Sequence, residues 1–371
     1  MTGHALPGRG ALVVKVGSSL LVGHDGLRSD WLAGLAEELL ALDRPLILVT
    51  SGAVALGRAR LAAGRSLPQA QAAAAVGQIA LAQAWDQALD HRAAQLLLSL
   101  DDLEDRRRYL NARDTLHTLL AHGLIPVVNE NDSVATEELR FGDNDRLSAR
   151  VAQAAGADGL VLLSDVDGLM TADPRSDPDA RLIETVETVD AAVLARAGPA
   201  APQGVGTGGM ISKLQAAQIA TAAGVAVLLI SGKAARPLTR FADSGIGTRF
   251  AAPATPLAVR KAWLAGLQRP QGTVRIDAGA ARALAQRGGS LLAAGVTAVT
   301  GTLRRGDLVR IEDPSEALIG QGLIGYDGSE AARILGRSSE EIADILGPAA
   351  RGPLIHRDDL VLFDQGYDHG R

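Results

Sequence analysis

The feature that most constrains this chain is a repeated unit. A short run of Val, Ile and Leu is followed by small or polar residues and then by a helix-period stretch. The runs are Ala11–Val16, Pro45–Thr50, Ala94–Leu98, Leu124–Val128, Gly159–Leu163 and Val225–Ile230. They read as buried strands. Helical patterns separate them: Ser29 or Asp30, as a cap, through Leu42, then Val54–Leu61, Pro68–Arg92, Asn111–His122, Leu147–Ala155 and Leu214–Ala223. Strands alternating with helices imply an α/β fold: a mostly parallel sheet covered by helices on both faces, with ligand-facing loops at the carboxyl ends of the strands. Pro126 suggests an edge position or a local irregularity. After Trp263 the texture changes to short strands (Gly272–Asp277, Gly301–Ile311, Leu318–Tyr326) with glycine pairs and turns, so a second, smaller β-rich domain is expected.

Composition narrows the function. A chain of 371 residues exceeds one ordinary core. The net charge of −5 argues against a mainly electrostatic grip on nucleic acid. There is no cysteine, which removes disulfides, thiolate nucleophiles and cysteine metal sites. No apolar run reaches the roughly 18 residues of a membrane span, and Met1–Gly10 has no apolar signal core. A soluble, cytoplasmic protein is expected. Of 37 basic residues only four are lysine: Lys15, Lys213, Lys233 and Lys261. Lysine is a compact point charge on a flexible stem, so its scarcity marks those positions, with chance as the competing account.

The stretch Gly204-Val205-Gly206-Thr207-Gly208-Gly209-Met210-Ile211-Ser212-Lys213 opens directly into a helix. A glycine loop frees backbone N–H groups to wrap an anion, the helix N-terminus adds more, and a lysine sits one turn inside, which suits a polyphosphate. Lys15 ends a strand and precedes Gly17-Ser18-Ser19, a phosphate-site pattern that a lysine merely reaching solvent also explains. Ser51-Gly52-Ala53 is either a ligand-facing turn or a plain helix cap. Two polar clusters, Asn129-Glu130-Asn131-Asp132-Ser133 and Gly142-Asp143-Asn144-Asp145, flank a short excursion. They could hold an ammonium group and orient a carboxylate, with metal ligation as an alternative.

Two motifs mislead, and a third is missing. Gly204-x-Gly206-x-x-Gly209 matches a dinucleotide fingerprint but follows no strand and lacks the downstream acid. No Walker A sequence is present. His356-Arg357-Asp358-Asp359-Leu360 imitates the protein-kinase catalytic loop without its Asn or Asp-Phe-Gly.

Taken together, Val14–Ser19, Val49–Ala53, Asn129–Asp132, Gly142–Asp145, Thr171–Arg175 and Gly206–Met210 resemble the amino acid kinase family nearly end to end. The tail with His356–Asp359 is similar to a PUA domain. Ser164-Asp165 stands where members often carry Thr-Asp, and the hydroxyl is kept. The resemblance implies an αβα sandwich over residues 8–258, a linker at 259–271 and a PUA-like domain at 272–366. It implies transfer of the ATP γ-phosphoryl group to the side-chain carboxylate of L-glutamate, with Mg²⁺ bound mainly through the ATP phosphates. Alternatives are another acceptor (aspartate, acetylglutamate, carbamate or a nucleoside monophosphate) or RNA binding by the tail. It further implies proline as feedback inhibitor and a homo-oligomer, tetramer or dimer, with no membrane partner.

By position, the resemblance makes Lys15 and Lys213 the groups that stabilise the transferring phosphoryl, and Asp165 the carboxylate that orients them. Ser51, Gly52, Asp132 and Asn144 would hold glutamate, while Asp143 and Asp145 would bind glutamate or help catalysis. Lys15, Gly17, Ser164, Asp165, Thr207, Gly208, Gly209, Met210, Ile211, Ser212 and Lys213 would hold ATP.

Overall fold

The computed structural model describes residues 4–61, 66–134, 144–172, 177–196, 209–252, 270–287, 289–347 and 352–363, with 258, 259, 261, 264 and 350 between them. The chain folds as two units, Met1–Pro256 and Leu257–Arg371.

The first unit is built on ten strands and ten helices among its described residues. They are β1 (Leu12–Val16), α1 (Ser18–Leu21), a small hairpin of β2 (Val22–Gly23) and β3 (Gly26–Leu27), α2 (Ser29–Leu40), β4 (Leu46–Thr50), α3 (Ala53–Leu61), α4 (Leu67–Ala88), β5 (Ala93–Leu98), α5 (Leu100–Glu104), α6 (Arg106–Ala121), β6 (Ile125–Glu130), α7 (Asn144–Ala155), β7 (Gly159–Ser164), β8 (Thr185–Val186), α8 (Ala191–Ala195), α9 (Met210–Ala222), β9 (Ala226–Ser231), α10 (Pro237–Ser244) and β10 (Thr248–Phe250). Eight strands form one sheet in the order β5-β6-β4-β1-β7-β9-β10-β8. The run from β5 to β9 is parallel, and β10 is antiparallel to β9.

Successive side chains of a strand point to opposite faces. Here they enter two different cores. Val13, Ile47, Val49, Leu160, Leu162, Val227 and Leu229 pack with residues of α5, α6, α7 and α9. Leu12, Val14, Val16, Leu46, Leu48, Val161, Leu163, Leu228 and Ile230 pack with residues of α2, α4 and α10. That double burial is why the strands are apolar throughout.

Some boundaries differ from the sequence reading. β6 is second from the edge, and Pro126 is accommodated because the ladder to β4 covers only Val127 and Val128. Helix α2 starts at Ser29 itself, and the residue before it, Arg28, makes no side-chain cap. α6 begins at Arg106 because Asp105 accepts from the Arg108 N–H and caps a polar first turn. No helix among the described residues is long and apolar enough to cross a membrane.

The second unit holds a five-stranded sheet, ordered β12 (Val296–Thr300), β11 (Gly272–Ile276), β13 (Leu308–Glu312), β14 (Leu318–Leu323) and β15 (Leu360–Leu362). Only the β11–β13 pair is parallel. Val274, Ile276, Val309, Ile311, Ile324 and Ile334 lie at its core. The run expected as one strand from Gly301 to Ile311 is a turn followed by β13, since Gly301 and Gly306 adopt positive φ (104° and 90°). The kinase-like His356 caps the short turn Arg357–Asp359, its Nδ1 accepting from the Asp358 N–H, which is a structural duty.

Candidate active site

In the main sheet the chain runs outward from β1 in both directions, through β4 and β6 on one side and through β7 and β9 on the other. The crevice of an open α/β sheet lies at such a reversal, beyond the carboxyl ends of the strands. Lys15 is the penultimate residue of β1, and Ser164 ends β7 beside it.

At this point the structure gathers three charges that are distant in sequence. Lys15 Nζ lies 2.6 Å from Asp145 Oδ1, and Lys213 Nζ lies 3.4 Å from Asp145 Oδ2. All three are buried, Asp145 at 1% exposure. Ser212 adds its hydroxyl, donated to Asp145 Oδ2 at 2.6 Å. Burial pushes the Asp145 carboxyl up, but Lys15, Lys213 and Ser212 more than offset this and hold it at about 2. Burial lowers the Lys213 ammonium from its ordinary value, and Asp145 opposes that shift.

Local structure places these groups without strain. Asp145 is the second residue of α7, and Ser212 and Lys213 lie in the first turn of α9, whose N-cap is Gly209. Two ammonium groups share one carboxylate beside the N-terminus of α9, where the first backbone N–H groups of a helix have no partner within the helix itself. That donor set suits phosphate oxygens.

Asp165, expected to orient the lysines, is exposed, with its Oδ1 accepting from the Ser164 hydroxyl at 3.2 Å. It acts on Lys213 only as the smallest of the charge effects there. The carboxylate in contact with both lysines is Asp145. Met210 and Ile211 open α9 with Ser212, and Gly17 caps α1 next to Lys15. Thr207, Gly208 and Asp143 lie outside the described residues.

The remaining predicted groups stand at neighbouring strand ends. Ser51 and Gly52 link β4 to α3, with Gly52 at φ +113°, a conformation that L side chains rarely adopt. Asn144, buried, accepts from the Glu130 N–H at 3.3 Å. Asp132 opens the short turn Asp132–Val134 after β6 and is 6% exposed. Among the described residues its Oδ1 is buried without a hydrogen-bond partner, and burial raises its carboxyl to about 6. A buried carboxylate oxygen left unpaired is a place for a ligand's cationic group.

Nothing in the sequence marked Gln78 or Trp85, and it carried Thr50 and Asn129 only as members of longer motifs. Trp85 and Gln78 lie on α4, more than twenty residues from any motif, so spacing gave no signal for them.

Among the described residues no group of three or more His, Asp or Glu side chains is arranged to hold a metal ion. The exposed Asp165 carboxylate is suited to a hard cation carried on phosphate oxygens.

The model of the Amino acid kinase family matches residues 10–232, and that of the PUA domain matches residues 272–346. The glutamate 5-kinase of Rhodopseudomonas palustris (strain BisB5) is 52% identical over 362 residues, covering 95% of this chain and 96% of its own. The glutamate 5-kinase of Bradyrhizobium sp. (strain BTAi1) is 52% identical over 366 residues, covering 96% of each. A solved carbamate kinase from Giardia lamblia bound to AMP-PNP aligns with 65% of this chain and 98% of its own, at 15% identity and a TM-score of 0.46. The family match spans more than half of the chain and the identity holds across nearly all of it: the chain belongs to the amino acid kinase family.

Proposed function

We propose that this chain transfers the γ-phosphoryl group of ATP to the side-chain carboxylate of L-glutamate, giving L-glutamyl 5-phosphate, the first step of proline synthesis. The observation that carries the reading is the buried Lys15–Asp145–Lys213 cluster at the reversal of the sheet, in a chain half identical to named glutamate 5-kinases.

The chemistry needs little from the protein beyond position and charge. A carboxylate is already ionised at neutral pH, so no general base is required, and catalysis reduces to alignment and neutralisation of developing charge. Lys15 and Lys213 face the transferring phosphoryl, and Asp145 holds both ammonium groups in place. Ser164, Asp165, Gly17 and the segment from Thr207 to Lys213 hold the nucleotide. Ser51, Gly52, Asp132, Asp143 and Asn144 hold glutamate, with Asp132 taking the substrate's ammonium. Mg²⁺, held mainly by the nucleotide's phosphates with Asp165 nearby, supplies charge neutralisation when bound.

The test is an ATP-dependent hydroxamate assay over a panel of acceptors, with and without proline. Turnover of glutamate well above aspartate, acetylglutamate or carbamate is expected; equal turnover of another acid would sink the assignment. Lys213→Ala should lower kcat on the order of 10³-fold, because charge stabilisation in the transition state is lost. Retained activity would remove Lys213 from this role. The same reading makes proline a feedback inhibitor, the enzyme a homo-oligomer and its compartment the cytoplasm. Inhibition in the panel and light scattering of the purified chain check the first two.

A further inference from the structure

The groups assigned to glutamate sit at the ends of two strands and the start of one helix. One other helix, α4, touches both strand ends and is linked through one of them to the helix start. Trp85, fully buried, donates its indole N–H to Thr50 Oγ1 at 3.0 Å. Thr50, also fully buried, donates that hydroxyl to the Ser51 carbonyl at 3.2 Å. Two turns earlier, Gly77 lies against the first residue of α3, where a Cβ would fall 1.8 Å from the Ala53 carbonyl oxygen. Gln78 accepts from Asn129 Nδ2 at 2.8 Å. Asn129 Oδ1 then accepts from the Glu130 N–H at 2.9 Å, and the same N–H reaches Asn144 Oδ1. Helix α4 also packs on the turn Asp132–Val134.

These contacts form two chains of hydrogen bonds. One runs from Trp85 through Thr50 to the Ser51 backbone. The other runs from Gln78 through Asn129 and the Glu130 N–H to Asn144. Buried polar groups must find partners, so each link fixes the next. Leu81 and Trp85 anchor α4 in the core under the sheet, which gives both chains a fixed origin.

We propose that Trp85 and Gln78 are positioning residues for the acceptor. From α4 they set where the Ser51–Gly52 loop and the Asn129–Asp132 strand end present their groups, and so set affinity for the amino-acid substrate apart from handling of the nucleotide. The proposal rests on the glutamate reading for the identity of that substrate, but the geometry it describes does not.

The experiment compares full-length Trp85→Phe, Gln78→Leu and Gln78→Glu with the parent. Loss of one relay link should raise KM for glutamate about tenfold in Trp85→Phe and Gln78→Leu, with KM for ATP unchanged. Gln78→Glu keeps an acceptor oxygen for Asn129 and should return KM to the parent value. Hydrogen exchange on the ligand-free proteins gives a second readout. Trp85→Phe should speed exchange in peptides covering residues 50–56, and Gln78→Leu in those covering 129–134, with α9 unchanged. Equal shifts in KM for both substrates would overturn the proposal, as would unaltered exchange in those segments. A parent that does not phosphorylate glutamate would instead overturn the substrate reading, and the exchange arm would still decide the positioning role.

Discussion

Lys15, Asp145 and Lys213 each depend on the others, because a buried charge that loses its partner keeps the full cost of desolvation. Asp145→Asn should therefore destabilise the protein by about 3–5 kcal/mol, measured by urea unfolding at pH 7. Inorganic tripolyphosphate, which returns an anion to the two ammonium groups, should recover part of that loss; no recovery would mean that the lysines do not face an anion site. A carboxyl lowered from 3.8 to about 2 contributes stability above pH 4 and loses it as pH falls towards 2. Asp132 has the opposite sign. Its folded carboxyl is raised from 3.8 to about 6, so its contribution is full below pH 4 and is lost as pH rises through 6. Asp132→Asn should thus be more stable than the parent by about 2–3 kcal/mol at pH 8, with the difference closing by pH 4 in urea titrations. The same variant should raise KM for glutamate, and in the parent that KM should rise as pH falls below 6. A difference that persists at pH 4 would place the effect elsewhere. At this scale scarcity of a residue type singled out positions: of four lysines, Lys15 and Lys213 are the two that the structure brings to one carboxylate. The acid that touches both lysines in the structure, Asp145, was less conspicuous in the sequence than Asp165. Asp165 follows a strand in an obvious loop, whereas Asp145 reaches the lysines only because α7 starts at Asn144, a boundary that polar residues hide.

The six strands of the parallel run from β5 to β9 were legible because burial writes a continuous apolar run, and their observed bounds fall within a residue or two of the pattern, whereas the short β2, β3, β8 and β10 left no such run. Helix starts were less so. The first turns of α6 and α7 are polar, so the apolar period begins later than the backbone does. The contact between α3 and α4 was not legible at all. It depends on Gly57 and Gly77, each with a Cβ position 1.8 Å from a backbone carbonyl of the other helix, and nothing in local sequence says that two helices touch there. Gly77→Ala must push the helices apart or distort them. It should cost about 3 kcal/mol or more and lower Tm, since overpacking against backbone has no side chain to give way. Because α4 carries the relay to Thr50 and Asn129, the same variant should weaken glutamate more than ATP. A neutral Gly77→Ala would mean that the two helices have room to separate.

At the scale of the whole molecule, the division into two units was legible as a change of texture, and each unit closes its own core from its own residues. What sequence order alone did not display is the reversal of the strand order about β1, which brings Lys15 from the start of the chain to the end of β7, next to a helix that begins two hundred residues later. Separate cores, with the candidate nucleotide and glutamate site in the first, have a calorimetric consequence. Two unfolding transitions are expected in the full chain. ATP with glutamate, each at about a hundred times its dissociation constant, should raise one of them on the order of 10–20 °C and leave the other in place. Val309→Asp buries an unpaired charge in the second core, where Val309 is fully enclosed, and should lower only the transition that ligands do not move. If both perturbations shift a single transition, the two cores unfold as one cooperative block and the expectation of independent unfolding fails.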